Sequence, residues 1–267
     1  MSAQVENSTD RRMGFFEHLD ELRDRLMRIM YVFMGGFLFA YFVTNEPVFE
    51  FLRRPLFNAL PPDQQKLYFT HLFENFLTHL KIAGYSSVAL ISPYIFFQVW
   101  SFIAPGLHKR ERKMVLPFIT ATVSFFVGGA MFAYYVLFPV GFKYFVQYGS
   151  ATDVPLLTID SYYGTCLKLM LLFGLAFELP VIITFLGFLG VFSAADLRAQ
   201  RKTAIIIITA MSAVFAPPDA ISMLILMGPL IAMYEASIIV VSIFDRNRPI
   251  QNAENQPENP LVGRSRP

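Results

Sequence analysis

Six apolar stretches separated by short polar segments dominate this chain, at about 29–44, 84–103, 114–138, 167–190, 203–216 and 221–243. An α-helix needs about 20 apolar residues to cross the ~30 Å hydrocarbon core of a bilayer. The second, third and fourth stretches reach that length, and the first reaches it if Leu26 and its neighbours extend the helix. The fifth is too short, and the sixth is interrupted by Pro229 and Glu235. The pattern predicts an all-α integral membrane protein with six transmembrane helices and a short last pair.

Basic residues are distributed unequally between the segments that connect these stretches. Sixteen of the 22 Lys and Arg residues fall on the side that carries both termini. They are Arg11, Arg12, Arg23, Arg25, Arg28, Lys109, Arg110, Arg112, Lys113, Arg198, Arg201, Lys202, Arg246, Arg248, Arg264 and Arg266. Because positively charged loops stay on the cytoplasmic side of a membrane, both termini are predicted to be cytoplasmic.

The polar segments divide the chain around a transmembrane domain at 29–244. Residues 1–28 are predicted to be a cytoplasmic tail and an amphipathic helix, whose apolar face carries Phe15, Leu19, Leu22 and Leu26. No cleavage-type site follows the first apolar stretch, so we expect that stretch to remain as a membrane anchor. The last segment, 245–267, is rich in Asn, Pro and Glu and is predicted to be a disordered cytoplasmic tail.

An outer cap is predicted at 45–83, the longest connection on the outer side. We expect prolines to break its first part into short pieces, namely Pro47, Pro55, Pro61 and Pro62. Apolar residues recur at helical spacing over 69–83, which predicts an amphipathic helix there.

One carboxylate is predicted to lie within the membrane. Glu178 falls deep in the fourth stretch, and Pro180 follows two residues later. A buried acid in a span costs a few kcal/mol and faces a bundle interior or a wet cavity. Pro180 frees backbone carbonyls, so the pair indicates a water-accessible concavity. A protonated or hydrogen-bonded structural glutamate is the alternative.

The last two stretches are joined by a tight turn. Pro217 and Pro218 cannot continue a helix, and Asp219 and Ser222 are placed to cap the next one.

Signatures of catalysis are absent from the sequence. It contains no phosphate-binding G-x-x-x-x-G-K, no H-E-x-x-H and no G-x-S-x-G. The single cysteine, Cys166, is predicted to be a packed small residue, and no set of metal ligands is evident. A net charge of +2 gives no reason to expect a nucleic-acid partner. We therefore predict a protein that is not an enzyme and uses no cofactor.

An acid stands within the most basic loop of the chain. Residues 102–118 read FIAPGLHKRERKMVLPF, and Glu111 is surrounded by Lys109, Arg110, Arg112 and Lys113. Retention of positive charge in the cytoplasm explains the four basic residues. It does not explain Glu111.

Five segments, in order, closely resemble the TatC family, the receptor subunits of the twin-arginine protein translocase. They are EHLDELRDRL at 17–26, QVWSFIAPGLHKRERK at 98–113, FAYYVLFPVGF at 132–142, FGLAFELPV at 173–181 and PPDAIS at 217–222. The resemblance covers roughly residues 14–245. It implies a concave, glove-like bundle in the bacterial cytoplasmic membrane that binds twin-arginine signal peptides of folded proteins. It also implies self-association in a complex, recruitment of single-span TatA/TatB-type subunits, and export driven by the proton-motive force.

The resemblance also assigns roles to residues. Glu111 and Glu21 would contact the arginine pair, since guanidinium and carboxylate form charge-assisted, bidentate pairs. Asp20 and Asp24 lie beside Glu21, which leaves open which acid makes the contact. Residues that would shape the peptide site are His18, Leu22, Arg23, Phe102, Pro105, Gly106 and Leu107. Glu178 and Gln98 would line an intramembrane cavity. Pro55, Pro180 and Asp219 would serve the architecture of the bundle.

Two other functions compete with a peptide receptor. A proton-coupled small-molecule carrier would use Glu178 as its proton site, although internal repeats typical of many carriers are not evident. A purely structural scaffold for membrane partners would bind cargo without any need for Glu111.

Overall fold

The computed structural model describes residues 15–106, 111–148, 156–215 and 219–246. Within these ranges the fold is all-α, as predicted, and one parallel bridge between Tyr68 and Thr158 is the only strand-like pairing. The helices are α1 (Phe15–Phe39), α2 (Asn45–Ala59), α3 (Glu74–Ile103), α4 (Val115–Phe132), α5 (Phe138–Tyr148), α6 (Ile159–Ala176), α7 (Leu179–Phe188), α8 (Ala194–Ala199), α9 (Arg201–Phe215) and α10 (Ala220–Arg246). Residues 1–14 of the predicted N-terminal segment and 247–267 of the predicted C-terminal tail lie outside the described residues.

Five helical segments of the described chain are long and apolar enough to cross a membrane. They are Phe16–Ala59, Glu74–Gly106, Arg112–Val146, Ile159–Phe188 and Ala220–Asp245. The remaining apolar stretch forms α9, whose 15 residues reach only about 22 Å at ~1.5 Å per residue. The protein is therefore a multi-pass membrane protein, and α9 is short, as the sequence predicts. The expectation that the last helix is also short is wrong, because α10 continues through Pro229 over 27 residues.

The chain divides into two compact units, residues up to Leu171 and residues from Leu172 onward. In the first unit, α1 packs closely against α3 at Gly36. A side chain added at Gly36 would bring its Cβ within 2.8 Å of Ser87 Oγ and 2.9 Å of Ile91 Cγ2. Ser87 Oγ donates a hydrogen bond to the Phe33 carbonyl at 3.1 Å. A larger residue at this position would therefore press against the Ser87 and Ile91 side chains of α3.

The first helical segment continues through the predicted outer cap, so the expectation of short pieces is wrong at Pro47 and Pro55. A π-helical segment, Ala40–Thr44, joins α1 to α2, and Pro55 lies buried inside α2. Proline removes the hydrogen bond to the carbonyl four residues earlier, here that of Phe51. The Tyr134 hydroxyl donates to the Phe51 carbonyl at 2.8 Å. A side chain from a distant segment therefore replaces the hydrogen bond that Pro55 removes, and α2 continues through the proline.

The second predicted helix of the cap begins at Glu74 rather than at Phe69. Glu74 is buried and accepts hydrogen bonds from the Thr70 amide (2.6 Å), the Thr70 hydroxyl (2.9 Å), the His71 amide (3.3 Å) and the Asp160 amide (3.1 Å). The carboxylate thus ends the loop before α3 and also binds the first turn of α6.

The position of Glu74 along α3 places it outside the bilayer core. The apolar stretch of α3 that is predicted to cross the membrane begins at residue 84, about 15 Å along the helix from Glu74, so Glu74 lies outside that stretch. Hydrogen bonds from the Asp160 and Thr70 amides lower the pKa of Glu74 to about 2.

In the second unit, a turn at Phe177 and Glu178 separates the end of α6 from α7. At the end of α7, Gly190 has a φ of 80°, a left-handed conformation that favours glycine. Its amide bonds to the Gly187 carbonyl at 3.0 Å, and the Val191 amide bonds to the Leu186 carbonyl at 3.0 Å, which terminates the helix.

Side-chain caps fix the first turns of α8 and α10. Ser193 and Asp196 form a reciprocal cap at the start of α8, and hydrogen bonds from Ser193 lower the pKa of Asp196. Asp219 Oδ1 accepts from the Ser222 amide at 2.6 Å and caps α10 as predicted.

Candidate functional site

An arginine missed as a site residue organises the junction between α1 and the end of α3. Arg25 Nε and Nη2 donate to Glu21 Oε1 at 2.9 and 2.5 Å. Its Nη1 donates to Gln98 Oε1 at 2.9 Å, and its Nη2 also reaches the Ser101 carbonyl at 3.2 Å. Gln98 Nε2 in turn donates to the Tyr94 hydroxyl at 2.7 Å. One guanidinium therefore connects the N-terminal helix to the last turn of α3.

Among the described residues, donors reach one oxygen of the Glu21 carboxylate and not the other. The Glu21 and Arg25 side chains are 20% and 18% exposed, so water screens their ion pair only partly. Glu21 Oε2 is buried, and no donor among the described residues hydrogen-bonds to it. His18 Nδ1 lies 3.8 Å from this oxygen, beyond hydrogen-bonding distance. A buried acceptor of this kind gains from any donor that reaches it.

An aromatic stack joins α1 to α3 one turn before Glu21. The His18 ring lies parallel to the Phe102 ring, with centroids 4.1 Å apart and an interplanar angle of 9°. His18, Glu21 and Phe102, three residues predicted for one site, are thus brought together. Leu22 and Arg23 are exposed and make no described contact with this cluster.

The loop after α3 begins beside the same cluster. A 3₁₀ turn, Ala104–Gly106, contains Pro105, and a second one starts at Glu111. Arg112 Nη2 donates to the Pro105 carbonyl at 3.4 Å across the loop. Leu107 and the Glu111 side chain lie outside the described residues, so their predicted roles stay predictions.

The two residues predicted for an intramembrane cavity make different contacts. Gln98 binds Arg25, as described above. Glu178 is buried in the turn between α6 and α7, and its carbonyl accepts from the Ile182 amide at 2.9 Å. Pro180 is buried in the first turn of α7, and its carbonyl accepts from Ser237 Oγ at 3.3 Å.

A cavity of about 200 Å³ begins directly after Glu178. Its walls are apolar side chains of α7, α9 and α10, together with Gln200, Thr203 and Tyr234. The Tyr234 hydroxyl donates to the Leu197 carbonyl at 2.8 Å. Pro180 lines this mostly apolar cavity, and the water-accessible concavity stays a prediction.

Only one sequence signal pointed to Arg25. The spacing of four residues between Glu21 and Arg25 favours an ion pair along a helix. Nothing in the sequence indicates that the same guanidinium also reaches Gln98 and Ser101, more than 70 residues away.

Comparisons with known proteins show which family this chain resembles over most of its length. Residues 17–229 match the family described as "Sec-independent protein translocase protein (TatC)". A Desulforapulum autotrophicum protein of that name is 37% identical over 239 residues, which is 90% of this chain and 88% of the relative. One from Magnetococcus marinus is 38% identical over 248 residues, covering 92% and 90%. A crystal structure of the twin arginine translocase receptor TatC matches with a TM-score of 0.73 at 31% identity, covering 86% of this chain and 100% of that one.

Proposed function

This chain belongs to the TatC family of Sec-independent protein translocase proteins, and we propose that it is the receptor for twin-arginine signal peptides of folded export cargo. The observation that carries the proposal is the Glu21 carboxylate at the junction of α1 and α3. One of its oxygens is bound by Arg25, while the other is buried and has no hydrogen-bond donor within the described residues.

A peptide arginine suits this acceptor chemically. A guanidinium offers five N–H donors in a planar fork and keeps its charge at every physiological pH. Hydrogen bonds to ionised groups contribute about 1.5–3 kcal/mol each, more than neutral ones. Glu21 would bind one arginine of the pair and Glu111 the other, because Glu111 follows in the loop that begins beside the His18–Phe102 stack.

The basic residues around Glu111 would make this site selective. Lys109, Arg110, Arg112 and Lys113 repel cations that approach without a good geometric fit. A ligand therefore binds only if directed hydrogen bonds to the two carboxylates offset that repulsion.

The setting of the receptor is part of the proposal. The protein lies in the bacterial cytoplasmic membrane with both termini in the cytoplasm, which brings α1 and the loop after α3 to the cytoplasmic side. There it self-associates and recruits single-span TatA/TatB-type subunits for export driven by the proton-motive force. It acts as a binding protein and not as an enzyme. A proton-coupled carrier that uses Glu178 is the competing hypothesis, and family membership favours the receptor.

The test is peptide binding to the full chain in lipid nanodiscs. Dissociation constants are measured for a twin-arginine signal peptide and for the same peptide with two lysines. The variants are Glu21→Gln and Glu111→Gln, and Asp24→Asn is the matched control because it removes one exposed negative charge from the same helix. We expect the arginine peptide to bind at least about tenfold more tightly, and each glutamine variant to lose about tenfold or more.

Three results would contradict the proposal. The first is equal affinity for the two peptides, and the second is full binding by both glutamine variants. The third is a loss in Asp24→Asn as large as in Glu21→Gln, which would assign the contact to a different acid. Proton flux that depends on Glu178, without peptide preference, would favour the carrier.

A further inference from the structure

We propose that Arg25 is a positioning residue of the peptide site, an internal guanidinium that occupies one oxygen of Glu21 and leaves the other for a single incoming arginine. This inference rests on the proposed function and extends it from the acids that bind the ligand to the group that sets their geometry.

The contacts of Arg25 fix Glu21 relative to α3. Both Nε and Nη2 bind Oε1 of Glu21, and the remaining contacts reach the Gln98 side chain and the Ser101 carbonyl. Ser101 lies in the last turn of α3, where backbone carbonyls lack helical partners and a positive charge is favourable. Arg25 therefore caps α3 and orients Glu21 through one rigid plane.

A lysine at position 25 could not do the same. An ammonium group carries its three donors on a single nitrogen, so it cannot reproduce the planar fork in which Nε, Nη1 and Nη2 together contact Glu21, Gln98 and Ser101. The Arg25 side chain is only 18% exposed, and the Gln98 amide is buried, so water cannot freely replace the lost bonds.

The charge of Arg25 also affects which ligands are selected. Because Arg25 neutralises Glu21, a cation that makes no directed hydrogen bond gains little from approaching the pair. A ligand gains instead by donating a directed hydrogen bond to Oε2, which no described donor satisfies. Arg25 thus converts an acid that would attract any cation into an acceptor that favours a guanidinium of suitable geometry. Removing Arg25 should weaken arginine binding and should strengthen lysine binding.

The experiment uses the full chain in nanodiscs, with the twin-arginine and twin-lysine peptides as probes. The variants are Arg25→Lys and Arg25→Gln, with Arg28→Lys as the control because Arg28 is exposed on the same helix. We expect both Arg25 variants to lose about tenfold in affinity for the arginine peptide. Arg25→Gln should also bind the lysine peptide more tightly, so that the ratio of the two affinities falls. Arg28→Lys should keep the wild-type ratio.

A variant on α3 guards against misfolding of the Arg25 proteins. Gln98→Leu removes the acceptor of Arg25 Nη1 and should reduce the peptide preference, although Arg25 itself is unchanged. Unfolding temperatures are recorded for every variant. A general loss of structure would lower both peptide affinities together and would leave their ratio unchanged.

The outcomes separate this inference from the proposed function. If the wild-type protein prefers the arginine peptide and all Arg25 and Gln98 variants keep that ratio, Arg25 has no positioning role. Tighter arginine binding by Arg25→Gln also overturns the inference, because Arg25 would then compete with the ligand. A wild-type ratio of one rejects the receptor function and this role with it.

Discussion

Replacing Gly36 with alanine should destabilise the packing of α1 against α3, whereas the same change at the adjacent Gly35 should not. At Gly36 the new methyl group would lie 2.8 Å from Ser87 Oγ and 2.9 Å from Ile91 Cγ2, both closer than van der Waals contact allows. At Gly35 no atom lies within 4 Å of the corresponding position. The two variants differ only in whether the added carbon meets the neighbouring helix.

The magnitude follows from two opposing terms. Alanine is favoured over glycine within a helix by about 1 kcal/mol, and this gain is shared by both variants. Overpacking in a well-packed interior costs about 1–3 kcal/mol, and it applies only at Gly36, because Ser87 and Ile91 are buried. We therefore expect Gly36→Ala to be less stable than Gly35→Ala by about 1–3 kcal/mol.

The assay is thermal unfolding of both variants in the same detergent. In chains of 150–250 residues, 1 kcal/mol shifts the midpoint by about 2–4 °C, so the two midpoints should differ by between a few degrees and about 10 °C. Equal midpoints would refute the reasoning, since they would show that α1 and α3 are not in close contact at Gly36.

Two further predictions concern carboxylates outside the peptide site. The pKa of Glu74 is lowered from 4.5 to about 2, so its charge contributes stability that is present above pH 4.5 and lost as the pH falls toward 2. As the pH falls from 4.5 toward 2, the unfolding temperature of the parent protein should therefore decrease more than that of Glu74→Gln. Equal decreases in the two proteins would contradict this prediction. Asp219→Ala removes the acceptor of the Ser222 amide and should lower the free energy of unfolding by about 1 kcal/mol. Asp219→Asn keeps a side-chain acceptor, so its unfolding temperature should fall less than that of Asp219→Ala. Equal decreases in the two variants would show that loss of the cap is not the cause.

Much of the fold could be predicted because bilayer thickness fixes how many apolar residues a span needs. The helices that contain the long apolar stretches, the short α9 and the cap at Asp219 follow from local sequence. The orientation of the termini stays a prediction from the distribution of basic residues.

The course of the outer cap could not be predicted from local sequence. Proline at position 55 would break an isolated helix, yet the Tyr134 hydroxyl satisfies the Phe51 carbonyl that Pro55 leaves without a partner. Likewise, a single glutamate, Glu74, ends the loop before α3 and binds α6, a contact between residues 86 positions apart. Such long-range hydrogen bonds leave no periodic pattern in the sequence.

The candidate site was predicted in part. His18, Glu21 and Phe102 lie together, as the family resemblance implies, while Leu22 and Arg23 lie on exposed faces of α1. Gln98 was predicted to line an intramembrane cavity, but it binds Arg25. The sequence of an apolar span does not reveal whether a given polar residue faces a cavity or a neighbouring helix, so sequence reasoning could not make this assignment.

The most direct test of the central claim is to map where the peptide binds. A twin-arginine signal peptide with a photoreactive group beside the arginine pair is cross-linked to the protein in nanodiscs, and the modified segments are identified by mass spectrometry. We predict cross-links in 17–25 and 98–114 that disappear with excess unlabelled peptide. Cross-links confined to the outer cap or to α9 and α10, or a pattern that excess peptide leaves unchanged, would contradict the proposed site.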